Sequence, residues 1–172
     1  DDINLESIKQ SEIIFLEGYL WDEGEPKKAF DKAIKNAKKV AMSLSDKFCV
    51  DRHKSHFLDL VKNKLDIIFA NEEEILSLID TRNLDDVITF GKEIGKILVV
   101  TRGKHGAISI NKGKVTKINI NKGLEVIDLT GAGDLFAAGY LHGHINNFSE
   151  EKCLQNGTDM SSKIIQKIGA RL

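Results

Sequence analysis

Asp66-Ile67-Ile68-Phe69-Ala70 runs straight into Asn71-Glu72-Glu73-Glu74, and Lys96-Ile97-Leu98-Val99-Val100 follows some twenty residues later. Each apolar run is short, rich in β-branched residues and apolar at consecutive positions. That suits a strand covered on both faces of a sheet. Asn71 followed by three acidic residues reads as the start of a helix. Residues 72–79 and 83–95 carry helical spacing, so this part of the chain alternates strand, helix and strand. Outward from it, Ile13-Ile14-Phe15-Leu16 and Val40-Ala41-Met42-Ser43-Leu44 read as further strands. Phe30, Ala33, Ile34 and Ala37 recur at helical spacing after Pro26, and residues 52–63 form another helical segment. The expectation is an α/β fold with a largely parallel sheet and helices on both faces. Ala107 to Ile110, Asn111-Lys112-Gly113 and Lys114 to Ile120 depart from this as a β-hairpin near 107–120. Helices are expected near 132–146 and 149–168.

Composition agrees. The 172 residues fit one domain, 1–172, with 41% hydrophobic and 30% charged residues. Lys and Arg total 25 against 26 Asp and Glu, a formal net charge of -1, which points away from nucleic acid and from a polybasic membrane anchor. No apolar run is long enough to span a bilayer. Residues 1–12 are acidic and polar, unlike a signal peptide. The two cysteines, Cys49 and Cys153, fit a reducing, cytoplasmic setting better than a disulfide framework.

In an open parallel sheet, ligands bind beyond the carboxyl ends of the strands. That selects the loops after Ala70, Val100 and Ile127. In Asp128-Leu129-Thr130-Gly131-Ala132-Gly133-Asp134, a Gly-Ala-Gly turn opens an apolar helical run. Its backbone N–H groups and the helix dipole make an anion site. A carboxylate is out of place beside a bound phosphate unless it takes a proton from an attacking hydroxyl. Asp134 is therefore read as a general base, against the plainer reading as a helix cap, with Asp128 and Thr130 just upstream in support. Thr101-Arg102-Gly103-Lys104-His105-Gly106 offers glycines for close approach, a hydroxyl and positive charge. By itself it reads as an ordinary turn into a hairpin. Asn71 and Glu74 read as a helix cap or as outer-shell partners of hydrated Mg²⁺.

Other motifs fail. Gly91-Lys92-Glu93-Ile94-Gly95-Lys96-Ile97 is one residue short of a Walker A loop and has Ile97 where a hydroxyl is required, so Gly95 reads as a helix stop. A dinucleotide fingerprint would need a glycine where Phe136 stands, which also disfavours an NAD-binding protein. Cys49, His53 and His56 have no matching second pair for zinc, since Cys153 stands alone and His142-x-His144 has the wrong spacing. The stretch after the 40–45 strand is expected to be a loop that brings Arg52 towards anionic substrate.

With the three loops in order, the sequence resembles the ribokinase-like, or PfkB-type, family of carbohydrate and nucleoside kinases. Asp128, Thr130, Gly131, Ala132, Gly133 and Asp134 fit its Asp-Thr-x-Gly-Ala-Gly-Asp signature in type, with Leu129 replacing the usual first Thr. Asn71 and Glu74 match Asn-x-x-Glu, and Thr101, Gly103 and Gly106 match Thr-x-Gly-x-x-Gly. Glu17-Gly18-Tyr19-Leu20 and Leu44 to Arg52 look like the bacterial adenosine-kinase-like branch. The resemblance implies ATP-dependent phosphoryl transfer to a primary hydroxyl of adenosine or a sugar. In it Asp134 is the base, and Gly131, Ala132 and Gly133 form the anion hole. Thr101, Gly103 and Gly106 meet the nucleotide. The 114–120 strand and the helix around Asn156 and Gly157 flank the adenine. Asn71 and Glu74 organise Mg²⁺ through water, and a monovalent cation such as K⁺ sits near Asp128 and Thr130. It also implies that the chain is the nucleotide-binding portion of a longer kinase. The N-terminal part, with its lid, most acceptor contacts and the surface through which two copies would pair, lies outside it. The portion alone is then expected to be inactive. A non-catalytic nucleotide-binding or regulatory module, and a ribokinase- or fructokinase-type sugar kinase, stay open as alternatives.

Overall fold

The computed structural model describes residues 3–21 and 24–171. The described residues form six strands and seven α-helices. The strands are β1 (Ile14–Glu17), β2 (Val40–Ser43), β3 (Ile67–Asn71), β4 (Ile97–Thr101), β5 (Ala107–Asn111) and β6 (Lys114–Ile118). The helices are α1 (Leu5–Gln10), α2 (Glu25–Asn36), α3 (Lys47–Asn63), α4 (Glu72–Leu78), α5 (Leu84–Ile94), α6 (Ala132–Ile145) and α7 (Glu150–Ile164). One sheet runs in the order β1-β2-β3-β4-β5-β6, with β1–β2 and β2–β3 parallel. This is the α/β architecture that the sequence led us to expect. Two residues with positive φ, Lys112 (49°) and Gly113 (77°), connect β5 to β6. That is the backbone of a tight hairpin turn.

Two compact units are distinguished. The first runs to Val99 and includes Ile110–Gly113; the second is Val100–Ser109 and the chain from Lys114 onward. The first unit is built on β2 and β3, whose Val40, Ala41, Met42, Ile67 and Ile68 are all buried. Helices α3 and α4 pack against each other there. Trp21 meets the ring of Phe30 edge-on at 5.2 Å and that of Phe57 at 6.4 Å, while Lys27 lies over the indole at 5.6 Å. Gly95 ends α5 in the left-handed conformation, as its reading as a helix stop requires.

Two expectations are corrected. The stretch after β2 is not a loop. Asp46 accepts from the Cys49 N–H and starts α3 at Lys47, five residues before the expected helix. The apparent start at residue 52 marks a kink instead, at His53 (φ -117°, ψ 22°). Arg52 therefore sits on a helix, exposed. Nor does a strand precede the Asp128 loop. β6 stops at Ile118, and residues 119–131 are irregular. The N–H groups of Ile127 and Asp128 bond to the Ile165 carbonyl at 2.8 and 3.2 Å, so this segment is tied to the end of α7 rather than to a sheet.

In the second unit α6 and α7 pack closely. A Cβ at Gly139 would lie 2.5 Å from the Asn156 carbonyl oxygen, one at Gly143 3.0 Å from Cys153 Sγ, and one at Gly157 2.8 Å from the Phe136 carbonyl oxygen. Tyr140 of α6 and Ser109 of β5, both fully buried, each donate a hydroxyl hydrogen bond to the Glu150 carboxylate at the start of α7. A buried hydroxyl without a partner is costly, so this shared acceptor fixes the three elements together. No helix among the described residues is long and apolar enough to cross a membrane.

Candidate active site

Gly131, at φ 77°, precedes α6 and carries no capping side chain. Asp134 is the third residue of the helix, so it is not the cap. It sits exposed in the first turn, and among the described residues its carboxylate has no hydrogen-bond or ion-pair partner. Of the backbone donors, Ala132 N–H is used internally, bonding to the Leu129 carbonyl at 3.1 Å. The N–H groups of Gly131, Gly133 and Asp134 have no acceptor among the described residues. Together with the dipole of a 14-residue helix they present partial positive charge.

Asp128 shapes the approach to this turn. One of its oxygens accepts from Thr130 N–H at 2.9 Å and from Thr130 Oγ1 at 2.6 Å. The other accepts from Gly169 N–H at 2.8 Å. These bonds hold its carboxyl well below the ordinary range, at about 2, with the Thr130 hydroxyl as the largest cause. Both oxygens are thus engaged in bracing the loop.

The turn after β4 closes through Arg102 N–H to the Gly106 carbonyl at 2.8 Å. Gly106 has φ 80°, and a Cβ there would stand 2.0 Å from the Ile118 carbonyl oxygen, so only glycine fits. Thr101, Gly103 and Gly106 line a cavity of about 670 Å³ together with Ala132 and Gly133. Two loops predicted separately thus share one cavity within the second unit. Its remaining wall is mostly apolar, with Ile120, Leu124, Val126 and Phe136 among its members.

Asn156 and Gly157 are placed elsewhere. Asn156 lines a different cavity with His142 and Lys163, and Gly157 is packed on Phe136. The residues that α7 gives to the larger cavity are Thr158, Ser161 and Ser162. Sequence reasoning missed these. The available signal was the helical period: 158, 161, 162 and 165 share one face, whereas 156, 159, 160 and 163 share another.

In the first unit, Asn71 and Glu74 form a capping box. Glu74 N–H donates to Asn71 Oδ1 at 2.9 Å; Asn71 N–H and Nδ2 donate to the Glu74 carboxylate at 2.9 and 2.6 Å. Glu74 is only 4% exposed. Burial is the main cause that lifts its pKa to about 7, with Asp46 and Glu73 adding repulsion and the Asn71 N–H opposing it. No group of three or more His, Cys, Asp or Glu side chains placed to hold a metal ion occurs among the described residues. The donor set does not fit a protein-ligated ion. A single carboxylate with spare lone pairs fits an outer-shell partner of a hydrated one.

Comparison with known proteins follows the same line. The family profile described as pfkB family carbohydrate kinase matches residues 1–172. The crystal structure of adenosine kinase from Sinorhizobium meliloti is similar with a TM-score of 0.95 and 35% identity, over 99% of this chain and 54% of that one. A probable sugar kinase from Rhizobium etli gives a TM-score of 0.93 and 36% identity, over 99% and 53%. Adenosine kinase from Dictyostelium discoideum is 29% identical over 154 residues, which is 80% of this chain and 44% of the relative. The chain therefore spans about half the length of the proteins it matches.

Proposed function

From the premise that this chain belongs to the pfkB family of carbohydrate kinases, we propose that it is the nucleotide-binding and catalytic portion of a longer ATP-dependent kinase. That kinase would transfer a phosphoryl group to a primary hydroxyl of a nucleoside, with adenosine as the preferred acceptor. The observation that carries this reading is the shared cavity, which the Thr101–Gly106 turn lines together with Ala132 and Gly133 at the start of α6. Its volume is in the range of a small-ligand site. The adenosine preference draws on the Leu44–Arg52 stretch and on the similarity to the Sinorhizobium meliloti enzyme.

In this reading the donor's phosphates lie against Gly131, Gly133 and the first turn of α6. Those N–H groups take up the negative charge that grows on the transferred phosphoryl oxygens. Asp134 accepts the proton of the acceptor hydroxyl as its oxygen forms a bond to the γ-phosphorus and the bond to the β,γ-bridging oxygen breaks. Asp128 holds Thr130 and Gly169 so that the turn keeps its shape during the transfer. Magnesium would be held through water by Asn71 and Glu74 and would neutralise phosphate charge when bound.

The test is Asp134→Asn in the full-length protein, with adenosine, ribose and fructose offered side by side. Turnover should fall roughly 10²–10⁴-fold, the usual range for a positioned base. ATP binding should hold or tighten, because a like charge beside the phosphates is gone. Turnover at the wild-type rate would overturn the role of Asp134. Efficient use of ribose or fructose with none of adenosine would overturn the acceptor while leaving the kinase reading in place.

A further inference from the structure

Between the end of β6 and Ile127 the chain has little of its own to hold it. Residues 119–126 belong to no helix or strand. Among the described residues, none of their backbone N–H or carbonyl groups bonds to another backbone group. Yet Ile120, Asn121, Lys122, Gly123, Leu124 and Val126 all line the large cavity. A wall built from such a segment opens at small cost unless a side chain fastens it.

Asn121 supplies that fastening. Its Nδ2 donates to Asp159 Oδ1 at 3.0 Å and to Ser162 Oγ at 3.1 Å, and its Oδ1 accepts from Gln155 Nε2 at 3.3 Å. Gln155 Nε2 donates to the same Asp159 oxygen at 2.8 Å, which closes the cluster. Gln155, Asp159 and Ser162 stand four and three residues apart on α7, so the helix stacks them as neighbours. Both amide hydrogens and the oxygen of Asn121 are thus spent on α7 rather than on a ligand. The bond to Asp159 has a charged acceptor and is the stronger kind. No other side chain from 119 to 126 makes a hydrogen bond or ion pair among the described residues.

We infer that Asn121 is a positioning residue: it latches the 119–126 segment to α7 and thereby sets how fast the ligand of the cavity enters and leaves. This rests on the nucleotide reading above, which supplies the probe. The test is stopped-flow binding of ATP carrying a fluorescent ribose label, with magnesium, to the full-length protein. Asn121→Ala should speed ATP release by roughly 10- to 100-fold, the range for losing a hydrogen bond to a charged group. KM for ATP should rise while kcat holds or rises, because the reacting groups are untouched and product leaves by the same route. Trypsin should cut after Lys122 faster in the variant, the exposed segment being freed. Asp159→Ala breaks the same latch from the α7 side and should speed release to a similar degree. The double variant should then release ATP little faster than either single one, which general destabilisation would not produce. ATP release at the wild-type rate in Asn121→Ala would overturn the inference and leave the kinase reading standing. A fall in kcat with KM unchanged would overturn it as well, by placing Asn121 in the chemical step. Failure of the unaltered protein to bind ATP would overturn the kinase reading, and this inference with it.

Discussion

Ala170 rests directly on Gly131: a Cβ built on the glycine would lie 3.0 Å from the Ala170 Cβ. One residue earlier, Gly169 donates its N–H to Asp128. The segment after α7 therefore grips the Asp128–Gly131 loop at both of its ends. The turn that offers N–H groups at the start of α6 is held from outside as well as by its own helix.

The brace should respond to acid in a particular window. The carboxyl of Asp128 falls from its ordinary 3.8 to about 2 in the folded chain. A lowered carboxylate pKa adds stability that is present above the ordinary value and is lost as pH falls through the lowered one. Asp128→Asn should therefore melt below the wild type at pH 6. The gap should close as pH drops from 4 towards 2. Thermal melts of both proteins across that range check it, and a gap independent of pH would mean that the charge of Asp128 contributes nothing.

Glu74 should behave in the opposite sense. Its pKa rises from 4.5 to about 7 on folding. Its contribution is thus fully present below 4.5 and is lost as pH rises through 7, at a rate of up to about 1.4 kcal/mol per pH unit within the window. Glu74→Gln removes the ionisation and keeps the size, so its stability relative to wild type should improve between pH 5 and 8. Urea unfolding at the two pH values measures this. In the full-length enzyme, the same variant should raise the Mg²⁺ needed for half-maximal turnover if Glu74 orders the ion's waters.

Gly103 and Gly106 both have positive φ, at 52° and 80°, but their surroundings differ. A Cβ at Gly103 meets nothing within 4 Å. Gly103→Ala should cost about 1–2 kcal/mol, the price of the left-handed backbone alone. Gly106→Ala adds a clash with the backbone oxygen of Ile118 and should cost more than about 3 kcal/mol or prevent folding. Equal denaturation midpoints for the two variants would contradict this difference.

Thr116 Oγ1 is buried and unpaired among the described residues. Valine has nearly the same shape without the hydroxyl. Thr116→Val should be neutral or should stabilise by up to about 1–3 kcal/mol, the cost of an unsatisfied buried polar group. A clear loss in melting temperature would show that the hydroxyl has a partner in solution.

The strands and helices were legible because their signals are local. Ile67 to Ala70 are apolar on both faces because the sheet is covered on both, and Gly95 stops α5 as its type suggests. The start of α3 was harder: Asp46 caps three residues before Cys49, but nothing apolar repeats until Phe57, so the helix was read from its kink onward. The Gly-Ala-Gly turn and the Thr101–Gly106 turn could be found from residue type and spacing. Thr158 could not. Its place on the cavity wall comes from which face of α7 meets the cavity, in a helix pair held close at Gly139, Gly143 and Gly157.

Those three glycines also bear on how a saturation mutagenesis map of this protein would read. Any side chain at Gly139 or Gly157 must displace backbone of the facing helix, so nearly every substitution there should abolish growth or signal. With the proposed role as base, variants of Asp134, exposed in the first turn of its helix, would score no better. Intolerance alone would therefore merge a packing seam with the proposed general base. The two separate only when abundance is scored beside activity: the seam variants vanish from the cell, and the Asp134 variants accumulate as folded, silent protein.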